Sequence, residues 1–454
     1  MNDKPKLYFY GGVETVTGAN FLLEINNQKI LVDCGLLQGE NFCEGENCNK
    51  FEYDPKEIDF LIITHAHADH IGRIPQLVKE GFTGVIYSTV ETKEIAEVML
   101  EDALRFVLSD AEKLGVEPIY GALDIKNTFN NWEVEPYHQK ITLKNEVSFS
   151  FKDAGHILGS AIVEIEQSGK KIVFTGDLGN SPAPFIKDTE DVVDAQYMVI
   201  ESVYGDRNHE DVSSRKSELK EAIKGVIKKQ GTLIIPAFSV SRTQIMLFEL
   251  NSMVEQGELP SIPVFLDSPL AIKITEIYRK YKRNFNDTAH ELIKSGDDIF
   301  DFPRLQFTKT VGESKEISDV DGPKIIIAGS GMSTGGRVIH HEKRYLSDSK
   351  NTLLIVGYQA PGGLGRLIQD GAREVLIEGK TIPVKAEIRT ITGYSGHKDS
   401  DGLLEFVSKS ASTLKKVFVV MGEPKSSLFL AQKIRDNLDI EAVVPTKGQS
   451  FELF

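Results

Sequence analysis

The chain is short of cysteine, of long apolar runs and of positive charge, and each shortage narrows what it can be. Three cysteines, Cys34, Cys43 and Cys48, are too few and too odd in number for a disulfide framework, which fits a reducing compartment. Cys43 and Cys48 have no second cysteine pair to complete a structural zinc site. No stretch approaches the roughly 20 apolar residues of a membrane span. The amino terminus, Met1-Asn2-Asp3-Lys4-Pro5-Lys6, lacks the apolar core of a secretion signal. A cytoplasmic protein with no membrane partner is expected. The net charge of −15 argues against loose binding of nucleic acid over a wide basic surface, because such affinity comes from neutralising phosphates. Any nucleic-acid site must be focused. Collagenous, coiled-coil and disordered signatures are missing too, and 454 residues are enough for two or three domains.

What is present is a histidine cluster. Thr64-His65-Ala66-His67-Ala68-Asp69-His70 follows the apolar run Phe60-Leu61-Ile62-Ile63. A run of that kind between charged residues reads as a buried strand, so the histidines fall in the loop at its C-terminal end, where open α/β sheets bind ligands. Imidazole and carboxylate are the ligands a zinc-type cation takes. His65 and His67, two apart, can project to one side of an extended segment, and Asp69 and His70 then point to a second ion.

Other β-like runs end the same way. Asp33 closes the run 29–33, His156 sits in Ala154-Gly155-His156-Ile157-Leu158-Gly159-Ser160 within the alternating segment 140–165, and Asp177 closes the run 171–177. Gathered at one edge, His156 completes three imidazoles on a first ion, Asp69 and His70 hold a second, and Asp177 bridges them. A dinuclear site makes hydroxide available near neutral pH and clamps the attacking and leaving oxygens of a hydrolysis.

The order Asp33, His65-Ala66-His67-Ala68-Asp69-His70, His156, Asp177 resembles the metallo-β-lactamase superfamily. That resemblance implies an αββα sandwich with metals at one edge. After Met198-Val199-Ile200-Glu201, helix-like and strand-like segments alternate as far as Gly357, which implies a parallel sheet with helices on both faces, inserted into the first domain. The insert resembles the β-CASP cassette in five stretches. They are Glu201-Ser202-Val203-Tyr204-Gly205, Ile235-Pro236-Ala237-Phe238-Ser239-Val240-Ser241-Arg242, Asp267-Ser268-Pro269-Leu270-Ala271, Ser330-Gly331-Met332-Ser333-Thr334-Gly335-Gly336-Arg337 and Gly357-Tyr358-Gln359-Ala360. The expected fold is therefore α/β: a metallo-β-lactamase αββα sandwich over residues 1–205 and 386–454, with a β-CASP domain over 206–385.

The resemblance implies a phosphodiesterase acting on RNA or, in some branches, on DNA ends. His397, in Thr392-Gly393-Tyr394-Ser395-Gly396-His397, matches the family histidine that faces the acidic residue at Glu201. A histidine oriented by a carboxylate is suited to donate a proton to a leaving 3′ oxygen. Asp33 is expected to orient a ligand from behind, so Asp33, Asp69, Glu201 and His397 are the candidate catalytic residues. For substrate, the small-residue turn at Ser330, Gly331 and Met332 can bring backbone N–H groups against a phosphate. Arg242, Arg337 and Arg366 lie near strand-exit turns, where guanidinium grips phosphate, although each could equally serve a structural ion pair.

One position departs from the pattern. Val417-Phe418-Val419-Val420-Met421-Gly422-Glu423 matches the stretch in which family members have His-Gly-Glu, the histidine completing the second metal's ligands, and here Met421 stands in its place. A thioether is a poor ligand for zinc or manganese held otherwise by oxygen and nitrogen. One Zn²⁺ firmly held, a second held weakly, and Mn²⁺ as an alternative are the cofactors expected. The function expected is metal-dependent cleavage of single-stranded RNA by hydroxide attack, leaving 5′-phosphate and 3′-hydroxyl ends. The alternatives are a weakly active or non-catalytic paralogue serving as an RNA-binding scaffold, and a DNA-end nuclease. Single-stranded RNA and a second copy of the chain are the candidate partners.

Overall fold

The computed structural model describes residues 4–38, 42–43, 45–209, 212–360 and 362–454, so the first three residues of the polar amino terminus lie outside the described residues. The chain forms two compact units: Met1–Ala183 with Lys187–Asn208 and His397–Phe454, and Pro184–Ile186 with His209–Gly396.

The first unit is built on two seven-stranded sheets. One runs in the order Ser450–Glu452, Lys6–Gly11, Asn20–Ile25, Gln28–Val32, Phe60–Ile62, Val85–Ser88, Trp132–Val134. The other runs Glu441–Val443, Lys416–Val419, Tyr197–Ile200, Lys170–Phe174, Ala161–Gln167, Val147–Asp153, Ile141–Thr142. Alternation along each strand sends one set of side chains inward, and Phe9, Phe21 and Ile62 of the first sheet meet Phe149, Phe174 and Phe418 of the second in one core. On the outer face of the second sheet, Val173, Met198, Ile200 and Val419 pack with Leu403, Phe406, Leu430 and Ile434 of helices Ser400–Ser408 and Pro424–Leu438. The first sheet is crossed over by helix Val90–Leu114, which starts where the Thr89 side chain accepts from Thr92 N and ends at Gly115 in the left-handed region. The layering is αββα.

The second unit carries an all-parallel six-stranded sheet in the order Leu305–Phe307, Val264–Asp267, Lys324–Ala328, Thr232–Pro236, Thr352–Ile355, Glu387–Thr390. Thr232–Pro236 and Lys324–Ala328 are buried along their whole length, as strands covered by helices on both faces must be. The expected domain limit at 385/386 needs correction. Glu387–Thr390 pairs with Thr352–Ile355 inside this sheet, so the chain returns to the first unit only at His397. A four-residue strand has no composition that announces which sheet it joins. Among the described residues, no helix is long and apolar enough to cross a membrane.

Candidate metal centre

Parallel register brings the polar residues to one edge. Val32 pairs with Ile62 and Phe174 with Val199, so Asp33, the histidine loop, Asp177 and Glu201 all leave the C-terminal ends of adjacent strands. Ile200 pairs with Val419, which carries Met421 to the same edge. The loops are fixed to each other by backbone: Cys34 N donates to His70 O (2.8 Å), Leu36 N to Ala68 O (3.0 Å) and Ala19 N to Asp69 O (2.9 Å). Gly35 permits this approach, because a Cβ there would lie 1.5 Å from the Asp69 carbonyl oxygen.

His65, His67, His156 and Asp177 each present a ligand atom, all within 4.8 Å of one another. His65 Nε2 is 3.1 Å from His67 Nδ1 and 3.4 Å from Asp177 Oδ2. His156 Nε2 is 3.2 Å from His67 Nδ1 and 3.5 Å from Asp177 Oδ2. Four ligands placed tetrahedrally at zinc–nitrogen bond length are separated by about 3.3 Å, so this donor set fits one such ion. Burial lowers the pKa of His65, His67 and His156, which keeps the rings neutral and their lone pairs available to a cation. Burial alone would raise Asp177, but His70 and His65 outweigh it and hold the carboxyl well below the usual range.

The second half of the centre is less complete. Asp33 accepts from Thr64 N (2.8 Å) and Thr64 Oγ1 (2.8 Å), and lies 2.7 Å from His70 Nδ1. Its place is that of a residue that aims a ligand: with Nδ1 engaged, His70 Nε2 faces Asp177 Oδ1 at 3.3 Å and Asp69 Oδ2 at 4.0 Å. His70 Nε2 and Asp177 Oδ1 are buried and without a hydrogen-bond partner among the described residues, as atoms reserved for an ion would be. Burial pulls the His70 ring down, but Asp177 and Asp33 raise it well above the ordinary histidine value. Met421 adds no suitable donor. Its buried side chain belongs to the core between the sheets, and it lines a small cavity with Asp33, His70 and Glu201, His70 being the histidine there. His138, His290 and His341, which have no ligand role in the sequence pattern, face Glu190, Lys282 O and Asp267 instead.

Beside this centre His397 Nδ1 lies 3.2 and 3.1 Å from the two oxygens of Glu201 and 3.9 Å from Asp177 Oδ2. Glu201 is itself held by Leu178 N, which donates to its Oε1 at 2.6 Å. Burial pulls His397 down, and the Glu201 carboxylate overcomes that and lifts it to about 9.

Known proteins resemble this chain over nearly its whole length. Residues 15–229 match the family model described as Metallo-beta-lactamase superfamily, 243–368 the Beta-Casp domain, and 381–445 the Zn-dependent metallo-hydrolase RNA specificity domain. Ribonuclease TTHA0252 of Thermus thermophilus is 34% identical over 423 residues, covering 93% of this chain and 94% of that protein. The chain belongs to the β-CASP nuclease family of the metallo-β-lactamase superfamily. An RNase J-like protein of Methanocaldococcus jannaschii is 30% identical over 452 residues, covering 97% of this chain and 98% of that one. Transcription termination factor FttA of Methanosarcina mazei is 30% identical over 459 residues, covering 98% of this chain and 71% of that protein. A crystal structure of a protein of unknown function from Enterococcus faecalis shares the fold, with a TM-score of 0.56 at 12% identity over 99% of this chain and 100% of that one. As a β-CASP family member the chain is a metal-dependent hydrolase of nucleic acid.

Within the β-CASP unit the expected phosphate-gripping arginines fare differently from the turn. Arg337 takes the ion-pair alternative. Its Nη1 donates to Asp267 Oδ1 at 2.6 Å and to Thr308 O at 3.0 Å, and its Nη2 to Lys309 O at 3.1 Å, so the guanidinium ties the unit together. Arg366 pairs with Asp370 four residues on along an exposed helix turn. Arg242 begins helix Arg242–Glu255 and is 8% exposed. Ser330, Gly331 and Met332 do form a tight turn, with Ser330 N donating to Gly335 O and Ser333 N to Ser330 O. Sequence reasoning missed Thr64, whose two hydrogen bonds fix Asp33, and the Asp267–His341 contact at 2.7 Å. Thr64 adjoins the histidine cluster and was findable there. His341 and Asp267 lie 74 positions apart, and only the fold joins them.

Proposed function

We propose that this protein cleaves single-stranded RNA by metal-dependent hydrolysis, leaving 5′-phosphate and 3′-hydroxyl ends. The observation that carries this reading is the adjacency of a four-atom donor set at tetrahedral spacing and a His397–Glu201 pair. His65, His67, His156 and Asp177 would hold one Zn²⁺, and Asp69, His70 and Asp177 a second ion, Zn²⁺ or Mn²⁺, more weakly. When bound, such ions supply Lewis acidity and lower the pKa of water. The chain's own residues do the rest. Asp33 keeps His70 aimed, and Glu201 orients His397 through Nδ1, so that Nε2 is the atom suited to carry a proton towards a leaving 3′ oxygen. Beside the Glu201 and Asp177 carboxylates, His397 keeps its proton until an oxygen of rising basicity comes within reach. The turn at Ser330, Gly331 and Met332 serves the substrate backbone. The amides of Gly331, Met332, Gly335 and Gly336 have no acceptor among the described residues, which suits an anion such as phosphate. RNA rather than DNA is favoured by the relatives named ribonuclease and by the match to an RNA specificity domain.

Met421 favours a second reading, a weakly active paralogue that binds RNA as a scaffold. Incubation with end-labelled single-stranded RNA and added Zn²⁺ or Mn²⁺ decides between them. Metal-dependent cleavage with 5′-phosphate products, lost in Asp69→Ala, is expected. RNA binding without cleavage would leave the scaffold, and cleavage undiminished in Asp69→Ala would remove the ligand assignment.

A further inference from the structure

Beneath the turn 330–336 lies a carboxyl that the hydrolysis does not use. Glu342, on helix Val338–Tyr345, is 0% exposed. One of its oxygens accepts a hydrogen bond from Ser333 Oγ, and the other, Oε2, has no partner among the described residues. Burial pushes the carboxyl up to about 7, against the Ser333 hydrogen bond. For stability alone such a group is a poor choice, since an apolar side chain of similar size would leave no polar atom unmatched.

Ser333 is equally unexpected on backbone grounds. Its φ is 56°, in the left-handed region that favours glycine, in a turn that already uses Gly331, Gly335 and Gly336. What serine brings that glycine cannot is the hydroxyl that reaches Glu342. The rest of the turn is braced on the same side. Gln359 Nε2 donates to Gly331 O at 2.9 Å, and a Cβ on Gly331 would lie 2.6 Å from the Phe238 ring. Thr334 and Gly336 are exposed on the other side.

We propose that Glu342 is a positioning residue: through Ser333 Oγ it fixes the second half of the 330–336 turn so that the amides of Gly335 and Gly336 meet a phosphate of the substrate strand. This rests on the reading of the turn as a phosphate contact, so the experiment tests that reading separately. Binding of a labelled phosphorothioate RNA single strand, which resists hydrolysis, is measured with the metal-loaded full chain, alongside steady-state cleavage. Ser333→Ala and Glu342→Leu should each weaken binding and raise KM about five-fold, the worth of one oriented hydrogen bond, with kcat within about two-fold. The double variant should bind no worse than either single one, because the two residues act as a unit. Glu342→Gln, which still accepts from Ser333, should bind within about two-fold of the wild type. Glu342→Leu should melt no lower than the wild type. Should it fail to fold, Ser333→Ala, which removes only a hydroxyl, carries the test. Unchanged affinity in Ser333→Ala, or losses that add in the double variant, overturns the proposal. Gly335→Asp sets a carboxylate where an added Cβ meets nothing within 4 Å. Weakening there with no effect at Ser333 rejects Glu342's role alone, and wild-type affinity in Gly335→Asp rejects the phosphate reading itself.

Discussion

Each unit of this protein buries a carboxylate and histidine at a strand end, and the two clusters are opposites in how their hydrogen bonds close. In the β-CASP unit, Asp267 is 0% exposed and its two oxygens accept from four donors: Thr308 Oγ1 at 2.6 Å, Arg337 Nη1 at 2.6 Å, His341 Nε2 at 2.7 Å and Ser314 Oγ at 2.6 Å. In the metallo-β-lactamase unit, Asp177 and His70 are just as deep, yet Asp177 Oδ1 and His70 Nε2 face each other at 3.3 Å with no hydrogen-bond partner among the described residues. Both join an aspartate to a histidine. The saturated cluster is a structural tie, and the one with atoms left over suits a cation.

Substitutions can break that contrast. The largest effect is expected at the residue both ions would share: Asp177→Ala should strip metal, measured by plasma mass spectrometry, and lower RNA cleavage by about 10³-fold or more. Retained metal would erase the distinction between the clusters. Next is His397→Ala, expected to slow cleavage by about 10²-fold with metal content unchanged, since it is assigned to proton transfer and not to ligation. A fall in metal content would move it into the ligand set. On the other side, Asp267→Asn should cost about 3 kcal/mol in urea unfolding and leave bound metal untouched. Burial raises the Asp267 carboxyl, but hydrogen bonds from His341, Ser314, Thr308 and Arg337 outweigh it and hold it well below the usual range. Its contribution to stability is therefore present above the ordinary carboxylate value of about 4 and fades as pH falls below it, so Asp267→Asn should flatten the acid limb of the wild-type stability curve. The smallest effect is a gain. Met421→His should raise metal content from about one towards two ions per chain, and an unchanged count would show that the second half-site does not lack that ligand.

The candidate metal ligands stood out because ligation demands particular side chains at short spacing, and six positions from His65 to His70 hold four of them. The parallel sheet of the insert was legible in the alternation of strand-like and helix-like segments. The His397–Glu201 contact, across 196 positions, was legible only through family resemblance. Arg337 stayed open between two readings for a general reason: its partner lies 70 positions away, and an arginine after a strand looks the same in sequence whether it awaits a phosphate or holds an aspartate. Helical spacing likewise shows Glu342 as a polar residue and says nothing of the serine turned towards it.

Gly35 limits how this chain can adapt to Met421. The loop carrying Asp69 and His70 rests directly on the backbone at residue 35, main chain against main chain, with no side chain between them to flex. Spacing fixed in this way behaves like a machined shim. Any side chain at residue 35 would push the Asp69 carbonyl away, and with it the donors that Asp69 and His70 present at this edge.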